Sequence, residues 1–299
     1  MKLNLSISAI GLAAGLLLTS TPVCAQTPDG APGGRGRGGR FTQDSRVQTR
    51  LYHFEDTNED LPYSLYVSTK VTKDKKAPLV VTLHGLGATQ TIMMTTAAVD
   101  LAEEGGYILV APLGYNTGGW YGSPLLRGGG RGRGRGNGRG AADGAPAPPP
   151  PPPPPANLSE LSEKDVMNVI GMVRKEFNVD DRRIYLMGHS MGGAGTLFLG
   201  SKYASMWAAI GAEAPADFSM NNTRQEILQK MKDANLPVMI VQGDMDEAVP
   251  VTNTRMWVDT MKEMGLNYEY VEQPGISHGP VIQTGLKPIY EFFGKHTKE

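Results

Sequence analysis

A serine stands between glycines in Gly188-His189-Ser190-Met191-Gly192-Gly193, and its surroundings suit it to act as a nucleophile. The run 183–187 ahead of it reads as a strand, and the small and apolar run 194–199 behind it as a helix. So sharp a strand-to-helix turn strains the serine backbone and pushes its hydroxyl out at a sheet edge. Only glycine at 188 and 192 lets neighbouring backbone approach there. With 38 glycines in the chain, the bare pattern also fits an ordinary tight turn. The flanking strand and helix favour the nucleophile.

Upstream, the apolar run 78–83 leads directly into His84-Gly85-Leu86-Gly87. A small turn of this kind can aim a backbone N–H at the serine's reaction centre. The N–H groups of Leu86 and Met191 are the expected pair of oxyanion donors. His84 is expected to brace the turn rather than to act as a base.

A serine hydroxyl needs a base, and the chain has five histidines. His53 falls in an N-terminal strand-like segment, His189 adjoins the serine and should point away from it, and His296 lies in a charged tail. His278 remains, in the loop Gln273-Pro274-Gly275-Ile276-Ser277-His278-Gly279-Pro280 before a last helix. The orienting acid should lie on a loop after a strand. The apolar run 237–241 leads into Gly243-Asp244-Met245-Asp246-Glu247-Ala248-Val249-Pro250, where Asp246 takes the apex. A carboxylate there would accept the Nδ1–H of His278, fix its tautomer and stabilise the imidazolium. Asp244 is expected to cap the turn and Glu247 to face water. Asp217 after the preceding strand is the rival acid.

The order nucleophile, acid, histidine, with Leu83-His84-Gly85, the serine motif, Gly243-x-x-Asp246-x-x-Val249-Pro250 and Ser277-His278-Gly279, resembles the α/β-hydrolase superfamily. It is most similar to the branch with prolyl-oligopeptidase-type catalytic domains, feruloyl and acetyl-xylan esterases and polyhydroxybutyrate-depolymerase-like proteins. The resemblance implies a serine hydrolase working through a Ser190, Asp246, His278 triad and an acyl-enzyme. Esters of carbohydrates or phenols are the expected substrates, small or polymer-linked. A serine peptidase of the prolyl-oligopeptidase type is one alternative. The roughly 50 residues before the core are too few for that type's gating propeller. A hydrolase-fold protein that only binds is the other alternative. No cofactor and no metal are implied.

The elements that must hold these residues alternate. Strand-like runs at 79–83, 107–112, 183–187, 207–211, 237–241 and 268–271 are interleaved with helix-like runs at 91–104, 158–177, 224–234 and 252–264 and a final helix. This predicts an α/β fold with a mostly parallel sheet, helices on both faces, and an antiparallel N-terminal edge from 51–54 and 63–69. Ligands of such sheets sit at the carboxyl ends of strands. The segment 113–156 follows a strand, so Trp120 and Tyr121 are expected to line the substrate pocket, with ordinary packing beneath the loop as the alternative.

The ends read differently. Residues 1–25, with an apolar stretch from Ile7 to Leu18 and Val23-Cys24-Ala25, resemble a secretory signal peptide too short to span a membrane stably. Cleavage after Ala25 would remove the only cysteine and give a secreted or periplasmic protein without disulfides. Residues 26–50 read as a flexible Gly/Arg-rich leader and 51–299 as the catalytic domain, interrupted by a disordered Arg-Gly and Pro insertion at 127–156. With 29 basic and 30 acidic residues the net charge is near zero, but the low-complexity parts are basic. Those Arg-Gly tracts could dock an anionic polymer. Nucleic acid is not expected, because aromatic residues are not interleaved with the arginines.

Overall fold

Strands buried at every position need both faces of the sheet covered, and four runs of this chain become such strands. The structure is a computed structural model and describes residues 41–124 and 154–299. In chain order the elements are β1 (Gln48–Phe54), β2 (Glu59–Val67), β3 (Ala77–Leu83), α1 (Thr96–Gly105), β4 (Ile108–Pro112), α2 (Leu158–Glu176), β5 (Val179–His189) and α3 (Met191–Lys202). Then come β6 (Ala209–Glu213), α4 (Arg224–Asp233), β7 (Val238–Gly243), α5 (Val251–Met264), β8 (Tyr268–Gln273), α6 (Val281–Thr284) and α7 (Leu286–Lys295). Strands β3, β4, β6 and β7 are buried at every position.

The eight strands form one sheet in the order β1-β2-β4-β3-β5-β6-β7-β8. β1 and β2 run antiparallel at one edge, β2 pairs antiparallel with β4, and all later pairings are parallel. Side chains alternate between the faces with the two-residue period of a strand. Ile184 and Leu186 enter a core with Val166, Val169, Leu197, Leu228 and Trp257 from α2 to α5. Tyr185 and Met187 enter the opposite core with Val99, Ile289 and Phe293 from α1 and α7. Burying each such aliphatic or aromatic side chain contributes on the order of 1.5–3 kcal/mol.

Four boundaries differ from the sequence reading, each for a local reason. Residues 41–50, assigned to the leader, belong instead to the sheet unit. Asp44 is buried and accepts from the backbone N–H and the Nε of Arg46, both at 2.8 Å, while its own N–H donates to Met94 O at 2.9 Å. Gln48, Thr49 and Arg50 pair with Leu65, Ser64 and Tyr63. The helix expected over 91–104 is two pieces, because the Thr95 side chain caps the N–H of Ala98 and starts α1 anew. β6 lies two residues later than expected, because the Trp207 indole N–H donates to Leu199 O at 3.1 Å and holds that residue against α3. The expected last helix is likewise two, α6 and α7, with Gly285 between them.

The expected signal peptide, the leader up to residue 40 and positions 127–153 of the expected insertion lie outside the described residues. Among the described residues, no helix is long and apolar enough to cross a membrane.

Candidate active site

β5 ends at His189 and α3 starts at Met191, so Ser190 alone makes the turn, with φ 59° and ψ −114°. Such a conformation costs a non-glycine residue on the order of 1–3 kcal/mol and persists only where the surroundings over-determine it. Here they do. The N–H of Ser190 donates to Glu213 O at 2.9 Å, and its carbonyl accepts from Ala194 N at 3.0 Å and Ala216 N at 3.0 Å. A Cβ at Gly192 would lie 2.1 Å from Leu83 O, and one at Gly188 would lie 2.5 Å from Gly192 O. The glycines therefore permit the close crossing of β3, β5 and α3 that the sequence reading anticipated.

The loops after β7 and β8 bring the other expected residues to this serine. His278 Nε2 lies 2.9 Å from Ser190 Oγ, and its Nδ1 lies 2.7 Å from Asp246 Oδ2. A carboxylate only accepts, so the imidazole proton sits on Nδ1 and Nε2 accepts from the serine hydroxyl. Asp246 is buried and well supplied with donors. Its Oδ1 accepts from Ala248 N at 2.9 Å and Val249 N at 2.8 Å, and its Oδ2 also accepts from Gln242 Nε2 at 3.1 Å. Burial pushes this carboxyl up, but His278, the Val249 N–H and Gln242 together outweigh it and hold it below the usual range.

The other acids do different work. Asp244 accepts from Gly275 N at 2.6 Å and closes the turn, and Glu247 is exposed. The rival Asp217 is fully buried and accepts from Asn253, whose own Oδ1 accepts from Asn221 Nδ2 at 2.9 Å. Its second oxygen has no partner, and burial pushes its carboxyl from an ordinary 3.8 up to about 8.

The remaining histidines are structural or peripheral. His53 is exposed on β1 beside Asp60. The ring of His296, read as part of a solvated tail, is half-buried against Phe292 at 4.4 Å. His84 is buried, with Nδ1 2.8 Å from Gly85 O and Nε2 2.7 Å from Leu113 O, in keeping with a bracing role. Burial lowers its pKa despite both carbonyls. His189 makes a contact the sequence reading missed: its Nε2–H donates to the backbone carbonyl of His278 at 2.9 Å, and the two rings lie 4.5 Å apart. Burial, then the neighbouring His278, lower its pKa to about 3, so it stays neutral.

The loop 84–87 lies beside the serine: a Cβ at Gly85 would sit 3.3 Å from Ser190 Cβ. Gly87 N donates to Thr117 O at 2.7 Å, and Leu86 projects outward with 60% of its surface exposed. Met191 begins α3, where backbone N–H groups lack partners within the helix. Met245, in the loop of Asp246, is 62% exposed and adds a second apolar side chain that the sequence reading did not single out. A methionine between two aspartates in a turn was the available signal.

The expectation that Trp120 and Tyr121 line the pocket is corrected. Both are core residues, and Tyr121 is wholly buried, packed between the β4 loop and α3. Their backbones take φ 60° and 50°, which turns the side chains inward rather than toward the open rim.

The overall fold has counterparts among solved structures. A thermostable esterase aligns with TM-score 0.60 and 22% identity over 85% of this chain and 64% of its own. A ferulic acid esterase from Anaeromyces mucronatus, solved with ferulic acid, aligns with TM-score 0.57 and 16% identity over 88% of this chain and 93% of its own. The chain has the α/β-hydrolase fold. Residues 218–299 match the prolyl oligopeptidase family (peptidase S9), a stretch that holds Asp246 and His278 and starts after Ser190. Cutinase 2 of Thermobifida cellulosilytica is 30% identical over 101 residues, 33% of this chain and 34% of the cutinase. The chain thus spans about a third of the length of that relative.

Asp217 generates a pH prediction. Folded, its carboxyl holds a proton up to about 8, whereas the unfolded chain releases it near 3.8. Between those values the folded state binds the extra proton, so stability falls as pH rises. Asp217→Asn should therefore gain on the wild type by at least about 1 kcal/mol from pH 4 to pH 8 in chemical denaturation. A gap that stays constant with pH would refute the protonated carboxyl.

Proposed function

We propose that the protein is a serine hydrolase that cleaves carboxylic esters through an acyl-enzyme, with Ser190 as nucleophile, His278 as base and Asp246 as its orienting acid. One observation carries this reading: His278 is hydrogen-bonded on one nitrogen to Ser190 and on the other to a fully satisfied carboxylate. His278 takes the hydroxyl proton as Ser190 Oγ attacks the ester carbonyl. Asp246 stabilises the imidazolium that forms. The N–H groups of Leu86 and Met191 receive the developing oxyanion, each contributing on the order of 3 kcal/mol to the barrier reduction. His278 then returns the proton to the leaving alcohol, and water clears the acyl group by the same steps in reverse.

Esters of phenols or carbohydrates are the favoured substrates, free or attached to a polymer. The cutinase and esterase relatives support ester over amide. The exposed Leu86, in the turn beside the serine, and the exposed Met245, in the loop of Asp246, suit an apolar acyl or aryl group. A peptidase is the second reading, and the match to the prolyl oligopeptidase family favours it.

An active-site fluorophosphonate should label the wild type and not Ser190→Ala, and Asp246→Asn should lower kcat about 10⁴-fold by releasing the imidazole tautomer. Nitrophenyl and feruloyl esters should turn over faster than aminoacyl anilides. Labelling of Ser190→Ala would end the nucleophile assignment, and faster anilide turnover would favour the peptidase.

Export and polymer docking complete the proposal. The apolar N-terminus with its small residues before Gln26 motivates secretion. The mature protein should start at Gln26, and an intact Met1 on exported material would count against it. The arginines of 127–139 motivate binding to an anionic polysaccharide. Retention on heparin should fall with added salt and with deletion of 127–156, and retention insensitive to both would sink the idea.

A further inference from the structure

The Tyr121 hydroxyl bridges both polar groups of a single residue. It accepts from the His84 N–H at 3.1 Å and donates to the His84 carbonyl at 3.2 Å. Several independent features hold it there. Trp120 and Tyr121 adopt left-handed φ values of 60° and 50°, which bulky residues avoid unless the surroundings compel them. The ring fills the space left by two glycines, since a Cβ at Gly114 would lie 2.4 Å from it and one at Gly195 would lie 2.7 Å from it. The Tyr121 N–H donates to the buried Ser162 Oγ at 3.0 Å. Burial pushes the phenol pKa well up, so the hydroxyl keeps the proton it donates.

What this strained side chain fixes is the first residue after β3. The backbone of His84 is held by Tyr121, and its ring lies against Leu113 O at 2.7 Å. Leu113 precedes Gly114 and Tyr115, whose N–H groups both donate to the buried Asp165 Oδ2, at 2.6 and 3.0 Å. The next peptides after His84 are those of Gly85, which runs beside Ser190, and Leu86. The Gly85 carbonyl shares a planar peptide with the Leu86 N–H and lies 2.8 Å from His84 Nδ1, so a displaced His84 would carry the Leu86 N–H with it. We propose that Tyr121 is a positioning residue for the oxyanion loop, locking the His84 peptide so that the Leu86 N–H stays aimed at the ester carbonyl. This rests on the acyl-transfer reading above.

The test compares Tyr121→Phe with Tyr185→Phe, which deletes a hydroxyl donated to His296 O at 2.7 Å, remote from the serine. With one ester substrate, Tyr121→Phe should lower kcat about 10- to 100-fold and leave KM within about twofold, as for a weakened transition-state donor. The pH profile should keep its shape, because Asp246 and His278 are untouched. Tyr185→Phe should lose melting temperature and retain kcat. Folded Tyr121→Phe with wild-type kcat overturns the proposal. If that variant does not accumulate folded, Ser162→Ala replaces it; a smaller kcat loss there supports the proposal and an unchanged kcat overturns it. Ser190→Ala runs alongside: activity close to wild type in it would instead overturn the acyl-enzyme reading itself.

Discussion

The backbone at Ser190 is forced into a conformation the residue would not choose, and the surrounding sheet is arranged so that it has no other. Three strands and a helix meet there. The approach of β3 to α3 is so close that a methyl group at Gly192 would overlap the Leu83 carbonyl. The bond from the Ser190 N–H to Glu213 O and the bond from the Ala216 N–H to Ser190 O tie the turn to β6 and the loop after it, so the strain is shared with the central strands. The consequence is a hydroxyl fixed at the carboxyl edge of the sheet, where the loops after β7 and β8 meet it.

Three carboxyls near that edge show how hydrogen bonding, not burial, decides ionisation. Glu213, Asp217 and Asp246 are all buried. Glu213 has no partner for either oxygen, and burial drives it well above its ordinary range. Asp217 has a donor on one oxygen and is also driven up. Asp246 receives two backbone N–H groups, an amide and an imidazole, and is driven down. Only the last can serve as a permanent counter-charge to an imidazolium at neutral pH.

The expected triad members were legible because their neighbours are glycine, proline and apolar runs, which fix strand ends and turns over a few residues. The same local signals gave the alternation of strands and helices. Less was legible where long-range packing decides. β6 was displaced because its last residue, Glu213, is a buried acid that reads as solvent-facing, and because Trp207 packs on α3 instead of starting the strand. Tyr121 read as a pocket wall because its sequence neighbours are loop-like. Its inward direction depends on Gly195, more than seventy residues away, lacking a side chain. The contact of His189 with the His278 loop has the same origin: the partner lies 89 residues along the chain.

Outside glycine, left-handed backbone among the described residues falls into two kinds. Asn58 and Asn235 occupy turns and tolerate that region, since asparagine's short polar side chain hydrogen-bonds locally. Tyr115, Trp120, Tyr121, Ser190 and Ala214 have no such tolerance, yet each follows β4, β5 or β6 at the carboxyl edge. Five unfavourable conformations gather at one rim, and none of this kind lies at the opposite rim among the described residues. The core supplies enough burial to hold them. Backbone held in such conformations by its surroundings suits the proposed oxyanion donors, since dipoles already aimed before charge develops need no reorganisation when it does.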